Sequence, residues 1–181
     1  HHRIVVTSLD GQVLDVIGSG QRAFDDGPYD RAGFSAPQGM ALDGETLYVA
    51  DTENHAIRQV DLRARTVSTL AGTGTMGYRG VPTELRRAQL NSPWDLVLVS
   101  RRLFIAMAGV HQLWVLDLDA GSIGPYAGSG REGLLDGKLL QASLAQPSGI
   151  TSDGRLLYFA DSEASAVRSA DLDPSGKVRT L

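Results

Sequence analysis

Apolar and polar residues alternate along this chain in short runs, and turn-forming residues separate the runs. In the clearest stretch four runs fall at about 38–43, 46–51, 56–61 and 66–71. Tyr48, Val49, Ile57, Val60, Val67 and Leu70 give them the β-branched and aromatic content that suits a pleated, half-buried surface. Alternation with a period of two predicts strands. Asp43-Gly44 and Asp153-Gly154 each stand between two runs, a dipeptide that favours a tight hairpin. The apolar period of about 3.6 residues that a helical solenoid needs is absent. The expectation is an all-β chain.

The pattern also recurs. FSAPQGMALDGETLYVADTENHAIRQVDL at 34–62 matches LAQPSGITSDGRLLYFADSEASAVRSADL at 144–172, and LNSPWDLVLVSRRLFIAMAGVHQLWVLDL at 90–118 lies between them in register. Pro37, Pro93 and Pro147 are 56 and 54 residues apart, and IGSG at 17–20, AGTG at 71–74 and AGSG at 127–130 keep the same spacing. Recurring four-stranded units of this size are propeller blades. The domain division expected is a partial blade at 1–20, blades at 34–72 and 90–128, and a truncated blade at 144–181, all in one propeller domain. The links at about 19–34, 73–89 and 129–143 repeat as well: Asp26-Gly27 matches Asp136-Gly137, and Ala32, Ala88 and Ala142 align. A repeated link is expected to be ordered, with glycines at positive-φ turns and the alanines where space is tight.

A shift of 54 lays His1 on His55 and Val6 on Val60, so HHRIVV reads as native sequence in mid-repeat. At the other end KVRTL matches TVSTL at 66–70 without the AGxG that follows there. The chain therefore reads as about three and a half four-stranded blades of a longer protein. The missing blades would come from the rest of that protein. Unpaired sheet edges tend to recruit other strands, so pairing or aggregation of the isolated chain is expected.

SAPQGMAL, LYVADTENHAIRQVDL and VSTLAGTGTMGY resemble NHL repeats, with Asn54-His55 at the signature position and Ala56 where its third letter would fall. LNSPWDL, LFIAMAGVHQLWVLDL and AGSGREGLLDG resemble the NHL-repeat proteins that carry a thioredoxin-like domain ahead of a six-bladed propeller. The resemblance implies a fragment of an NHL-type, six-bladed β-propeller. It also implies a redox domain elsewhere in the longer protein.

Composition narrows the function. The 181 residues carry a net charge of −4 and no cysteine, which excludes disulfides, thiolate metal sites and thiol catalysis within the chain. The absence of cysteine fits a reducing compartment, so a cytoplasmic location is expected. No basic stripe speaks for nucleic acid, and no apolar run is long enough to span a membrane. GTGTMG at 72–77 and GSGREG at 128–133 lead into further strands, so they lack the strand–loop–helix setting of a phosphate loop.

Six residues recur and are expected to be structural: Asp51, Asn54, His55, Arg58, Asp161 and Arg168. Asp51 and Asp161 suit turn carboxylates that accept hydrogen bonds from the following backbone; the alternative is a carboxylate for acid–base work. Arg58 and Arg168 suit an inter-blade tie through a planar fork, against the alternative of a binding face. His1, His55 and His111 occupy one repeat position. Packed sheets stand about 10 Å apart, too far for equivalent residues to share a metal, so no metal is expected and His55 is read as bracing its loop. No cofactor is expected either.

The third copy departs from the others. Met107 replaces the aspartate, Ala108-Gly109-Val110 replaces the polar turn, and Trp114 replaces the arginine. One reading is local repacking, with Trp114 in the space of Arg58. The other is an apolar patch of Met107, Val110 and Trp114 for a partner, joined by Trp94 and His111. Asp95 stands where the other copies have Gly39 and Gly149, which makes it the candidate for an axial site beside Gln38, Asp43, Ser148 and Asp153. Three functions follow. The first is a non-catalytic scaffold for a protein or small ligand on the propeller face. In the second, the propeller presents substrate to a thioredoxin-like domain. The third is a lactonase- or lyase-like enzyme with an axial metal.

Overall fold

The computed structural model describes residues 1–78 and 83–181. The remainder of the expected 73–89 link, residues 79–82, lies outside the described residues. The first sheet pairs β1 (Ile4–Thr7) with β2 (Val13–Ile17). The second blade comprises β3 (Gly27–Pro28), β4 (Pro37–Asp43), β5 (Thr46–Asp51), β6 (Ala56–Asp61) and β7 (Thr66–Ala71). The third comprises β8 (Thr83–Glu84), β9 (Pro93–Val99), β10 (Arg102–Met107), β11 (Gln112–Asp117) and β12 (Ser122–Ala127). The fourth comprises β13 (Gly137–Lys138), β14 (Pro147–Ser152), β15 (Leu156–Asp161), β16 (Ala166–Asp171) and β17 (Lys177–Thr180). Each blade is an antiparallel meander, ordered β3-β7-β6-β5-β4 in the second and in the same way in the others. The four strands expected in the second repeat are present, and β4 and β5 join through the Gly44-Glu45 turn at Asp43↔Thr46.

Each complete blade has a fifth strand. The links contribute β3, β8 and β13, which pair with the outer strands through Gly27↔Val67, Ser122↔Glu84 and Gly137↔Val178. The described parts of the links are thus ordered, as their repetition leads one to expect. Ala32, Ala88 and Ala142 are buried in them. Gly72 has φ +104, its N–H donates to Leu85 O at 3.0 Å, and a side chain there would come within 2.6 Å of His55 O. Only glycine meets both conditions.

The core lies between blades. On β10 Leu103, Ile105 and Met107 pack toward Tyr48, Ala50 and Ile57 of the second blade. The alternate residues Phe104 and Ala106 pack toward Ile150, Leu157 and Phe159 of the fourth. A strand with both faces covered follows from the period of two. Ile4 and Ile17 close the first junction against Val49, Val60 and Val67.

The two ends leave more than strand edges open. Met40 and Leu42 on β4 are 48% and 61% exposed, whereas Leu96 and Ile150, the counterparts of Met40, are buried at the inner junctions. At the other end Val167 on β16 is 57% exposed, whereas Ile57 and Leu113 are buried. The two open surfaces are the two halves of one repeating interface. Such surfaces make heterologous, head-to-tail contacts. Light scattering against concentration should show the chain growing by whole-chain steps, and Met40→Lys with Leu42→Lys should weaken association by about tenfold or more, roughly 1.4 kcal/mol. A monodisperse monomer across the concentration series would refute this.

Candidate functional site

The repeated polar residues sit where the second long strand of each blade ends. After β5 the chain makes a single 3-10 turn, Thr52–Asn54, and leaves it at His55 with φ 48°. The carboxylate of Asp51 does not cap this turn. It accepts the Ser35 N–H at 2.7 Å from the preceding link, the Asn54 amide at 2.8 Å and the Arg58 guanidinium at 2.9 Å. The backbone donors expected after Asp51 are replaced by the Ser35 N–H before it and by the side chains of Asn54 and Arg58 after it, because the turn backbone is engaged elsewhere: Glu53 N–H binds Ser35 O.

Arg58 is fully buried between the Phe24 and Phe34 rings. Its fork donates to Gly33 O at 2.6 Å, Asp25 O at 2.8 Å and the Asp26 carboxylate at 2.9 Å. Asp161 and Arg168 repeat the unit: Ala145 N–H meets Asp161 at 2.7 Å, and Arg168 reaches Asp161, Ser143 O, Leu135 O and Asp136. The expected inter-blade tie is thus a tie between a blade and the link that enters it. Burial raises the Asp51 carboxyl above its ordinary range, against the pull of Asn54, the Ser35 N–H and Arg58. Asp136, at the surface end of the second unit, is instead held below that range by the Thr180 N–H and hydroxyl and by Arg168.

The third blade solves the same problem without charge. Met107 is 0% exposed and Trp114 2% exposed. The Asn91 N–H lies 3.4 Å from the Met107 sulfur, in the place of the carboxylate. Trp114 Nε1–H donates to Gln112 Oε1 at 3.0 Å, and Gln112 Nε2 donates to Gly128 O at 2.9 Å. The apolar partner patch expected from Met107, Val110 and Trp114 is therefore corrected. Met107 and Trp114 seal the junction with the second blade, and Val110 packs on the same core. Local repacking was the apt expectation, and burial is the property that an apolar substitution alone does not reveal.

The histidines are junction residues. His55 Nδ1 accepts the Ser92 N–H at 3.1 Å, and His111 Nδ1 accepts the Gln146 N–H at 3.3 Å, each from the next blade. In the first sheet this position belongs to His2, whose Nδ1 accepts the Ala36 N–H at 3.2 Å. The assignment to His1 is off by one because the β1–β2 hairpin is one residue shorter than β6–β7: Ile4 pairs with Ile17 as Ile57 pairs with Ala71. His55 braces its own loop less than it braces its neighbour. Burial holds its imidazole below the ordinary value, and the Glu53 carboxylate works the other way.

At the inner ends of β4, β9 and β14 the register slips, and these irregularities lie side by side. Gln38, Gly39, Trp94, Asp95, Ser148 and Gly149 line one open cavity of about 520 Å³. Bulges of this kind re-aim side chains. Asp95 bridges the blades: its carboxylate accepts Leu96 N–H at 2.8 Å and, across the junction, Ile150 N–H at 2.9 Å. A side chain at Gly39 would collide with Asp95, and Gly149 lies on its other side. Asp43 and Asp153 lie away from this cavity: Asp43 meets Arg101 at 3.3 Å, and Asp153 accepts the Arg155 and Leu156 N–H groups of its own turn at 2.8 Å. Among the described residues no three His, Asp or Glu side chains converge as a metal site would require.

The family model "NHL repeat" matches residues 34–60. The chain is 44% identical over 173 residues to Protein SUPPRESSOR OF QUENCHING 1, chloroplastic, of Arabidopsis thaliana, covering 91% of this chain and 16% of that protein. It is 39% identical over 206 residues to NHL repeat-containing protein 2 of Gallus gallus, covering 100% of this chain and 28% of that one. Among solved structures it resembles the nidogen/laminin complex, with a TM-score of 0.44 and 22% identity over 96% of this chain and 68% of that one. The chain carries an NHL repeat at residues 34–60 and has the fold of a partial β-propeller, and it spans between 16% and 28% of these two curated relatives.

Removing one partner of a buried ion pair costs about 3–5 kcal/mol, whereas replacing both by apolar residues is far cheaper. Asp51→Met and Arg58→Trp should each destabilise by about that amount. The double substitution, which imports the third blade's pair, should cost well below their sum in denaturant unfolding. Additive costs would show that the two residues are not one unit.

Proposed function

We propose that this chain is a non-catalytic binding module, part of a larger thioredoxin-like/NHL-repeat protein, and that it holds its protein or small-molecule partner at the axial cavity. One observation carries the reading. The repeated charged residues are all engaged in tying links and blades, while Gln38, Trp94 and Ser148 from three successive blades border a single open cavity. A carboxamide, an indole and a hydroxyl form a recognition surface with an aromatic anchor. They are not a nucleophile and base. In the full protein a thioredoxin-like domain would act on what this face presents. The compartment is that of the full protein: no described helix is long and apolar enough to cross a membrane, and one relative is named chloroplastic, so the lack of cysteine does not place the chain in the cytoplasm.

The second reading is an axial metal enzyme of the lactonase or lyase type, with Asp95 as its carboxylate. Against it stand the two backbone N–H groups that already occupy Asp95. Elemental analysis and a thiol–disulfide reductase assay on this chain, and on a longer chain bearing the thioredoxin-like domain, separate the readings. Turnover should be confined to the longer chain, and Trp94→Ala should lower its kcat/KM about tenfold through KM, consistent with the loss of an aromatic anchor. A stoichiometric divalent ion in this chain that Asp95→Asn removes would establish the second reading instead.

A further inference from the structure

One carboxylate stands in the axial cavity without a cation to match it. On β9 Pro93 pairs with Met107 and Asp95 with Ala106, so Trp94 is the extra residue of a bulge. A bulge re-aims side chains that would otherwise alternate, and here Trp94 and Asp95 both line the cavity, each half-buried. The matching irregularities of β4 and β14 fall at Gln38-Gly39 and Ser148-Gly149. The two glycines leave the carboxylate its space: a Cβ on Gly39 would collide with Asp95 Oδ1, and one on Gly149 would stand 4.0 Å from Oδ2.

The other side chains that line the cavity, Gln38, Trp94 and Ser148, are neutral. Among the described residues Asp95 forms no ion pair, whereas the more deeply buried Asp51 and Asp161 meet arginines at 2.9 and 2.8 Å. Its partners are two backbone N–H groups, Leu96 on Oδ1 and Ile150 on Oδ2. A carboxylate has about four lone-pair sites, so each oxygen keeps one, and the two amides fix the direction in which it points. The neighbouring side chain is an indole, whose face attracts cations better than any other aromatic ring. The Gln38 carboxamide is exposed at the rim, and the Ser148 hydroxyl is engaged with Ser162 Oγ at 2.6 Å.

We propose that the axial cavity binds a guanidinium, stacked on the Trp94 indole and facing the Asp95 carboxylate. The proposal rests on the binding reading above and names the charge and shape of what is bound. A metal ion does not fit, because Asp95 is one ligand and no three His, Asp or Glu side chains converge among the described residues. An anion would meet a carboxylate and no basic side chain. A guanidinium needs what is present: a flat apolar face, one carboxylate, and a further acceptor for its planar set of five donors, which Gln38 Oε1 supplies. An ammonium is compact and strongly hydrated, so it loses more on leaving water and gains less from a flat ring. The guanidinium belongs to an arginine side chain or to a free guanidine; the recognising chemistry is the same.

The chain's two tryptophans report separately, since Trp94 lines the cavity and Trp114 is sealed in a junction. In an NMR titration of the unmodified chain, N-acetyl-argininamide should shift the Trp94 indole N–H and leave that of Trp114 in place. N-acetyl-citrullinamide, its neutral isostere, should bind about fivefold more weakly or worse, and N-acetyl-lysinamide should bind more weakly than the arginine probe. Salt raised from about 0.02 M to about 0.5 M should weaken the arginine probe and spare the citrulline probe. Asp95→Asn should weaken the arginine probe about tenfold and leave the citrulline probe unchanged. The citrulline and salt comparisons need no variant, so they decide even where Asp95→Asn loosens the blade junction. Methylguanidinium that binds as tightly as the arginine probe assigns a free guanidine, and weaker binding assigns an arginine side chain. No shift at Trp94, equal binding of the arginine and citrulline probes, or a lysine probe that matches arginine overturns the proposal. Such a failure leaves the binding reading standing where Trp94→Ala still raises KM in the longer chain. A charge-dependent site with KM unchanged by Trp94→Ala would instead overturn the binding reading alone.

Discussion

A blade of this chain has two apolar faces, so it needs two covers, and the third blade receives both from its neighbours. Sheets stack about 10 Å apart, and at that spacing the side chains of β10 fill the junctions on both sides in alternation. Burial of this kind is strong but non-directional; it would tolerate a blade that slid or tilted against its neighbour. Direction comes from the loops, where backbone groups leave the strand ladders and must find partners. The Thr52 hydroxyl on Pro93 O, the histidine rings on Ala36, Ser92 and Gln146, and Asp95 on Ile150 all cross from one blade to the next. Apolar faces hold the fan together, and a few polar contacts set its angles.

The buried aspartate–arginine unit belongs to the second group. It anchors the link, not the sheet: Arg58 gathers Gly33 O, Asp25 O and Asp26, and Asp51 gathers Ser35. A buried ion pair is poor evidence for stability, because desolvation offsets the attraction. The third blade makes the point within one molecule. Met107 and Trp114 keep β10 and β11 in register with no charge at all. What the charged version adds is selection of one path for the link, since a guanidinium fork accepts only acceptors placed around it. The blade that lacks it is also the blade whose turn has lost its charged and amide side chains.

Much of this was legible in the sequence because it repeats. Strand limits, hairpin turns and positive-φ glycines are local, and three copies in register reinforce each local signal. The two-residue strands β3, β8 and β13 were not legible, since two residues carry no period. Asp95 was legible as an oddity and not as a bridge, because Ile150 is distant in sequence and meets it only once two blades are packed. Met107 and Trp114 suggested an exposed patch for a comparable reason: an apolar residue in a polar position can be turned out toward a partner or in toward a core, and only packing decides. The histidine register slipped by one because a hairpin one residue shorter leaves the hydrophobic pattern intact while moving His2 into the place that His1 would take.

Position explains the division of labour. The repeated mechanical parts of this propeller lie in its junctions and links, so a residue type that recurs between copies has a mechanical use as its simplest explanation. Binding has to come from what does not recur. At the inner bulges the three blades present glutamine with glycine, tryptophan with aspartate, and serine with glycine. The backbone irregularity is common to all three, and the chemistry is different in each. That combination, a repeated frame holding unrepeated side chains around one cavity, is how a symmetric fold acquires an asymmetric site. The His55 seam borders that cavity through Ser92, Pro93 and Trp94, so any change in the angle between the second and third blades moves the indole relative to Gln38. Geometry thus couples the junction chemistry to the recognition surface without requiring a separate pathway between them.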